Sequence, residues 1–357
     1  MNSVHKDFQL NGNSFSSQEE LLVFSKTISK ETFSFLADWL SNENNIQVKT
    51  SGSTGTPKDI FLKKEYMKNS ALATADFFEL YGKTKALCCL PIDFIAGKMM
   101  LVRAMTLGWH MDVIEASSNP LEDTEKKYDF SAMVPLQLIN SFDKIHLVDK
   151  LIVGGGVVSP QLENSIQGLP TKVYATYGMT ETITHIAIKP LNVTSSLPSR
   201  QTGGVERSHY KLLPSISISI DDRSCLVINA PKVSDEKVIT NDVVEILSET
   251  EFIWKGRYDN VINSGGVKLH PEEIERKLSP YINSRFFVAG IPDEKLGEKL
   301  VLLIEGEENS VISNKVRNLK NILAKFETPK EICFITEFIE TSTKKIQRQK
   351  TLDSILS

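Results

Sequence analysis

The chain is expected to be an α/β protein with a large N-terminal domain on a sheet that contains parallel strands and a small α+β C-terminal domain. Between Ile46 and about residue 176, short apolar or β-branched runs (IQVKT, ALCCLP, MDVIEA, DKLIVGGG, TKVYAT) alternate with helix-like segments such as KEYMKNSALATADFF and AGKMMLVRAMTL. Such βα alternation favours parallel strands. After Tyr210 the pattern changes to period-two segments, ISISIDDRSCLVINA and DVVEILSETEFIWKG, broken by Asp-Asp and Glu-Thr turns. These read as antiparallel hairpins that close the first domain. The last region opens on PEEIERKL, a helix started by Pro271 with early carboxylates, and continues through RFFVAGI, KLVLLIEG, a helix near 315 to 326, and EICFITEFI, an α+β pattern. The boundary falls around Arg257 to Asn260, which gives domains of 1–256 and 257–357.

Ahead of the first strand, Leu21, Leu22, Phe24, Ile28, Phe35, Leu36 and Trp39 recur at roughly helical spacing, so one or two core-facing helices span Ser17 to Leu40. The 357 residues carry 41 Lys+Arg against 45 Asp+Glu, a formal net charge of −4, with 41% hydrophobic and 24% charged residues. That balance is ordinary for a globular chain and argues against a nucleic-acid clamp or a polybasic membrane surface. Cys88, Cys89, Cys225 and Cys333 show no CxxC spacing, which points to a reducing compartment and no structural zinc. The first residues are polar and no run approaches the roughly eighteen apolar residues that span a bilayer, so a cytoplasmic location without membrane insertion is expected.

Five segments concentrate chemistry. Thr50 to Asp59 (TSGSTGTPKD) combines glycines Gly52 and Gly55, which let backbone amides approach an anion, with Thr50, Ser51, Ser53, Thr54, Thr56 and Lys58 as hydroxyl and cationic donors. GxxGxPK is not a Walker A loop, and the same composition serves a flexible turn. Val153 to Val157 (VGGGV, with Gly155 and Gly156) follows a strand and would bring backbone close to a flat ring or a phosphate, or would serve as a packing turn. Tyr177 to Thr182 (YGMTET) puts an aromatic, a hydroxyl and a carboxylate at a sheet's carboxyl edge, where open α/β sheets collect ligands. There Glu181 suits a magnesium ion and Thr180 a phosphate oxygen, while a capping box explains the same residues. Trp254 to Glu275 and the tail Thr341 to Lys350 complete the set; on composition alone the tail is a solvated face.

In this order and spacing, the segments resemble the adenylate-forming superfamily of acyl-CoA synthetases, luciferases and peptide-synthetase adenylation domains, from about Ile46 to the C-terminus. The resemblance implies ATP, Mg²⁺ and CoA as cofactor and co-substrates and assigns roles by position. TSGSTGTPK is similar to the phosphate loop and VGGGV to the adenine-side turn, while Tyr177 and Gly178 open the cofactor-binding YGMTE segment. Thr180 corresponds to the threonine at the α-phosphate and Glu181 to the metal ligand. Asp242 in ITNDVVEI corresponds to the ribose-gripping aspartate and Arg257 to its assistant. Asp259 falls at the hinge, Ser264, Gly265 and Gly266 in the thiol-tunnel loop, and Lys345 at the catalytic lysine. Two departures stand out: Asn241 replaces the glycine of the usual TGD, and Lys344 replaces the glycine before the catalytic lysine. The second leaves Lys344 and Lys345 both open, and Ile346, Gln347 and Arg348 keep the register that selects Lys345.

Only about fifty residues precede the phosphate loop, so the N-terminal subdomain is expected to be shortened. With PIDFIAGKMMLVRA, this looks most like the compact bacterial o-succinylbenzoate-CoA ligase branch of menaquinone biosynthesis. Phe94 and Gly97 then fall beside the acyl group, and Lys98, Arg103 and His185 are the basic candidates for the substrate's unreacted carboxylate. The implied chemistry is attack of a carboxylate on the α-phosphorus of ATP, then displacement of AMP by the CoA thiol after the C-terminal domain rotates about Asp259. A carrier-loading adenylation enzyme or another aryl-acid ligase shares the fold. A non-catalytic scaffold would bind ATP without pyrophosphate exchange, yet has no chemical reason to keep Thr180, Glu181, Asp242, Arg257 and Lys345 together. The residues leave monomer and homo-oligomer both open.

Overall fold

The computed structural model describes residues 4–49, 59–192, 209–319, 321–341 and 346–356. After the short strand β1 (Gln9–Leu10), hydroxyl caps start two helices: the Ser17 hydroxyl accepts from Glu20 N at 3.1 Å to open α1 (Gln18–Ser25), and the Ser29 hydroxyl accepts from Thr32 N at 3.0 Å to open α2 (Lys30–Leu40). The hairpin β2 (Asn45–Lys49) and β3 (Asp59–Lys63) follows, then α3 (Lys64–Phe78), β4 (Lys85–Cys88), α4 (Ile95–Leu107), β5 (His110–Val113), β6 (Tyr128–Met133), α5 (Pro135–Asn140), β7 (Val148–Val153), α6 (Pro160–Ser165), β8 (Lys172–Gly178) and β9 (His185–Pro190). The run IQVKT corrects one expectation. It is a strand, but it pairs antiparallel with β3, Asn45 opposite Lys63, in a separate two-stranded sheet. The reason is local: only nine residues separate β2 from β3, fewer than the dozen or more that a parallel crossover needs.

Strands β1, β5, β4, β6, β7 and β8 lie side by side in that order, all parallel. Their side chains alternate between two cores. Ala86, Cys88, Phe130 and Ile152 join α2, α3 and α4 on one face. Leu87, Cys89, Met133, Leu151 and Val153 meet Leu138 of α5 and Leu162 of α6 on the other. Because the chain goes from β4 outward to β5 and then crosses back to β6, the strand order reverses between β4 and β6, the place where open α/β sheets gather ligands. From β8 onward the sheet turns antiparallel through β9, β10 (Tyr210–Leu212), β14 (Glu251–Arg257), β13 (Val238–Ser248), β12 (Cys225–Asn229) and β11 (Ser217–Ile220), completing twelve strands.

The C-terminal part builds its own five-stranded sheet from β15 (Ile262–Ser264), β16 (Val267–Leu269), β17 (Phe286–Asp293), β18 (Gly297–Glu305) and β19 (Glu331–Ile335), with α7 (Pro271–Leu278), α8 (Ser310–Arg317) and α9 (Arg348–Leu356). The helix expected near 315 to 326 instead runs from Ser310 to Arg317, because the Asn309 side chain accepts from Val311 N and Ile312 N and fixes its start. The two parts touch closely where α7 meets β14: Gly256 (φ 145°) leaves room for Glu272, whose Oε2 lies 2.2 Å from where a Cβ would sit. No helix among the described residues is long and apolar enough to cross a membrane.

Candidate active site at the carboxyl edge of the sheet

Adjacent parallel strands β7 and β8 deliver two of the chemical segments to the same edge. After Val153 the backbone turns through Gly155 at φ 75°, a conformation that favours glycine. A Cβ on Gly154 would stand 2.7 Å from the Thr176 hydroxyl, so the turn lies tight against β8. Val157 beyond it is exposed. At the end of β8 a Cβ on Gly178 would strike Thr184 O at 2.1 Å, which explains glycine there without any ligand.

Thr180 and Glu181 sit in a single 3₁₀ turn, Thr180–Thr182, that the Thr182 hydroxyl closes by accepting from Met179 N at 3.2 Å. The capping role thus belongs to Thr182, and Glu181 is exposed. Ile183 holds φ 67° and ψ −65° while buried, in a three-residue turn closed by Thr184 N to Thr182 O at 2.8 Å. A β-branched residue there is strained, and the burial of its side chain at 1% exposure holds it in place.

Asp242 is the centre of the second group. Across β13 and β14 it faces Arg257 in register, whose Nη1 lies 3.8 Å from Asp242 Oδ1. Trp254 Nε1 donates to Oδ1 at 3.0 Å and Tyr177 Oη donates to Oδ2 at 2.8 Å. Burial, then the Asp242 charge, hold the Tyr177 phenol far above its ordinary range, so it stays a donor. The result ties the Tyr177 end of β8 to the β13–β14 hairpin and leaves a carboxylate with 10% of its side chain exposed. The sequence segments named Asp242, Arg257 and Tyr177, but they did not single out Trp254 as a donor, because a hairpin partner carries no local spacing signal.

A third group is buried behind the edge. Arg103 on α4, at 2% exposure, donates from Nε to the Thr74 hydroxyl and from Nη2 to the Thr184 hydroxyl, both at 3.3 Å, and reaches Met100 Sδ at 3.8 Å. Thr184 also bonds Ser70 at 2.8 Å, and Thr74 bonds His185 Nε2 at 3.2 Å. No carboxylate pairs with Arg103 among the described residues. Burial lowers its pKa to about 10, which still leaves it charged at neutral pH. Burial, and then the Arg103 charge, push His185 well below its usual range, so its ring is neutral. Beside this cluster lies a small cavity of about 30 Å³ lined by Ser70, His185, Leu213 and Val233 among others.

The structure therefore brings Arg103 and His185 together, with Ser70, Thr74 and Thr184 that the sequence did not mark, but keeps Lys98 apart. Lys98 Nζ donates to Ile92 O at 2.7 Å and Asp93 O at 3.2 Å and lies over the Phe35 ring, fastening the loop ahead of α4. Phe94 precedes α4, part exposed, and a Cβ on Gly97 would come within 2.3 Å of Pro91 O. In the C-terminal part, Gly265 (φ 60°) and Gly266 (φ 81°) form the two-residue turn between β15 and β16, beside buried Ser264. Asp259 is exposed between β14 and β15. Residues Thr50, Ser51, Gly52, Ser53, Thr54, Gly55, Thr56 and Lys58, and Lys344 and Lys345, lie outside the described residues.

The profile of the AMP-binding enzyme family matches residues 46–226. The chain belongs to the AMP-binding enzyme family. An acyl-CoA synthetase (AMP-forming)/AMP-acid ligase II-like protein from Dyadobacter fermentans is similar to this AMP-binding enzyme at 36% identity over 93% of this chain and 98% of that one, with a TM-score of 0.59. Among curated relatives, the 2-succinylbenzoate–CoA ligase of Listeria monocytogenes is 26% identical over 84% of this chain and 68% of the relative. The O-succinylbenzoate coenzyme A synthetase of Bacillus subtilis, solved with ATP and magnesium ion, shares the fold at a TM-score of 0.71 and 17% identity, covering 94% of this chain and 82% of that one. In this AMP-binding enzyme the three side-chain groups above therefore sit on a shared, α/β adenylate-forming scaffold.

Proposed function

We propose that this AMP-binding enzyme is an ATP-dependent acid–thiol ligase that forms o-succinylbenzoyl-CoA, in menaquinone biosynthesis. The observation that carries the acyl choice is buried, charged Arg103, which has hydroxyl and thioether partners but no carboxylate among the described residues. A buried guanidinium without an anion is costly, and a second, unreacted carboxylate on the substrate would offset that cost with charge-assisted hydrogen bonds. The curated relatives named 2-succinylbenzoate–CoA ligases support the same choice.

In the first step the substrate's reacting carboxylate attacks the α-phosphorus of ATP, forming an acyl-adenylate and releasing pyrophosphate. The barrier is electrostatic, an anion approaching a polyanion, and fixed donors in a water-poor site lower it most. Residues 50–58 supply amides, hydroxyls and Lys58, Thr180 a hydroxyl to the α-phosphate, and Lys345 a cation. Asp242 accepts the ribose hydroxyls, held in aim by Tyr177, Trp254 and Arg257. Magnesium, when bound, neutralises phosphate charge. Exposed Glu181 suits it, because magnesium takes one or two carboxylates together with phosphate oxygens, and no cluster of three His, Cys, Asp or Glu competes among the described residues. In the second step the CoA thiol attacks the acyl carbon and AMP leaves, with Asp259 as the hinge and residues 264–266 beside the thiol.

The test is ATP-, Mg²⁺- and CoA-dependent thioester formation, read by mass detection, with o-succinylbenzoate beside benzoate, a medium-chain fatty acid and succinate. Turnover confined to o-succinylbenzoate is expected. Turnover of another acid alone would discard the pathway, and ATP binding without AMP release for any acid would leave a scaffold.

A further inference from the structure

The departure at Asn241 has a structural consequence at the domain boundary. Asn241 Nδ2 donates to both oxygens of Asp259, at 3.3 Å to Oδ1 and 3.2 Å to Oδ2. Its own amide oxygen accepts from Arg223 Nη1 at 2.8 Å. Arg223 is in turn fixed by a second bond, Nη2 to Thr240 O at 3.0 Å, by Asp221 at 2.7 to 2.9 Å, and by packing of its guanidinium 5.3 Å from the Tyr258 ring centre. Asp259 also accepts from Arg257 Nη2 at 3.1 Å, the side chain whose other nitrogen faces Asp242. One amide thus joins an arginine of the β11–β12 turn to the carboxylate between β14 and β15.

We infer that Asn241 is a positioning residue that latches Asp259 to the large domain, so that this chain resists rotation of its C-terminal part about residue 259. Glycine at 241 has no side chain to make the bridge. The bonds also require the amide: the donor end must meet a carboxylate while the acceptor end meets a guanidinium, and only Asn or Gln offers both ends on one flat group. The bridge is partly exposed, so its strength is that of a surface hydrogen bond, enough to shift a two-state population several-fold without locking it. Arg257 shares Asp259 with the latch, so release of the latch frees Arg257 to turn wholly to Asp242. The inference rests on the reading of Asp259 as the hinge.

Hydrogen exchange of the amides at 258–264, followed by mass spectrometry on the full-length protein, tests it without needing activity. Asn241→Ala removes the bridge, and Asn241→Asp keeps the shape but sets a carboxylate against Asp259. The expected order of exchange is wild type, then Ala about threefold faster, then Asp faster again, with the Asp effect reduced at 0.5 M salt and β13 amides unchanged. Asp exchanging like wild type, or all three alike, would overturn the latch, as would faster exchange spread through β13, the mark of a local folding defect. Where the wild type forms thioester, the variants should also change the ratio of adenylation to thioester-formation rates, which general destabilisation would lower together. Absence of thioester formation in the wild type would defeat the ligase reading and leave the exchange result to judge the latch.

Discussion

His185 shows how a residue's chemistry is set by its surroundings rather than its type. A histidine in water titrates near 6.5, but here burial and the Arg103 charge hold the ring neutral well below that. The sign of the linkage follows. Above about pH 6.5 the folded and unfolded rings are both neutral and contribute no slope. Below it the unfolded chain takes up a proton that the folded one refuses, so stability is lost as pH falls towards the folded value, at up to about 1.4 kcal/mol per pH unit. His185→Gln should therefore flatten the loss of urea-unfolding stability between pH 6.5 and 5.5 relative to wild type; an unchanged slope would mean that the ring is charged in the fold. At this scale, part of the site could be read in the chain. Asp242, Arg257, Tyr177 and Glu181 stand in short, ordered motifs. Trp254, Ser70, Thr74 and Thr184 do not, because each meets its partner through a strand pairing or a helix packing that no local spacing records.

Among the elements, α4 carries Arg103, and its seat depends on one atom's width. Gly97 packs so closely on the preceding loop that a Cβ would come within 2.3 Å of Pro91 O and 2.9 Å of Leu90 O. Replacing a helical glycine by alanine ordinarily gains up to about 1 kcal/mol. Here the overlap is with backbone, which moves only with the loop, and such overpacking typically costs about 1–3 kcal/mol. Gly97→Ala should then destabilise the protein, seen as a lower urea midpoint at unchanged slope. A raised midpoint would show that the loop yields. The elements themselves were largely legible: α3, α4, the parallel strands and both hairpins fall where periodicity put them. The partner of β2 was not, since period and composition mark a strand but say nothing of which neighbour it meets. The late helix was displaced because the Asn309 cap, an isolated residue, outweighed the apolar pattern further on.

For the molecule as a whole, the neighbouring ends of β7 and β8 and the switch from parallel to antiparallel strands after β8 bring three groups to one edge. These are the glycine turn and the Thr180–Glu181 turn after β7 and β8, the Asp242 grip on the hairpin, and the Arg103 cluster beneath. On the proposed function the division of labour is physical: the exposed donors would face the nucleotide, and the buried cation would meet the acid. That a cation would be needed was legible from the chemistry of the expected acid. Which of Lys98, Arg103 and His185 would supply it was not, because all three look alike as helix or strand residues until their neighbours are known. The most direct measurement compares kcat/KM for o-succinylbenzoate with that for an analogue lacking the aromatic carboxylate, in wild type and in Arg103→Met. Methionine keeps much of the volume and removes the buried charge, so the fold should survive. Loss of a buried charge pair costs about 2–5 kcal/mol, so wild type should favour o-succinylbenzoate by at least about 30-fold and Arg103→Met should abolish that preference while still turning over the analogue. An equal preference in both proteins would contradict the assignment of Arg103 as the residue that reads the acid.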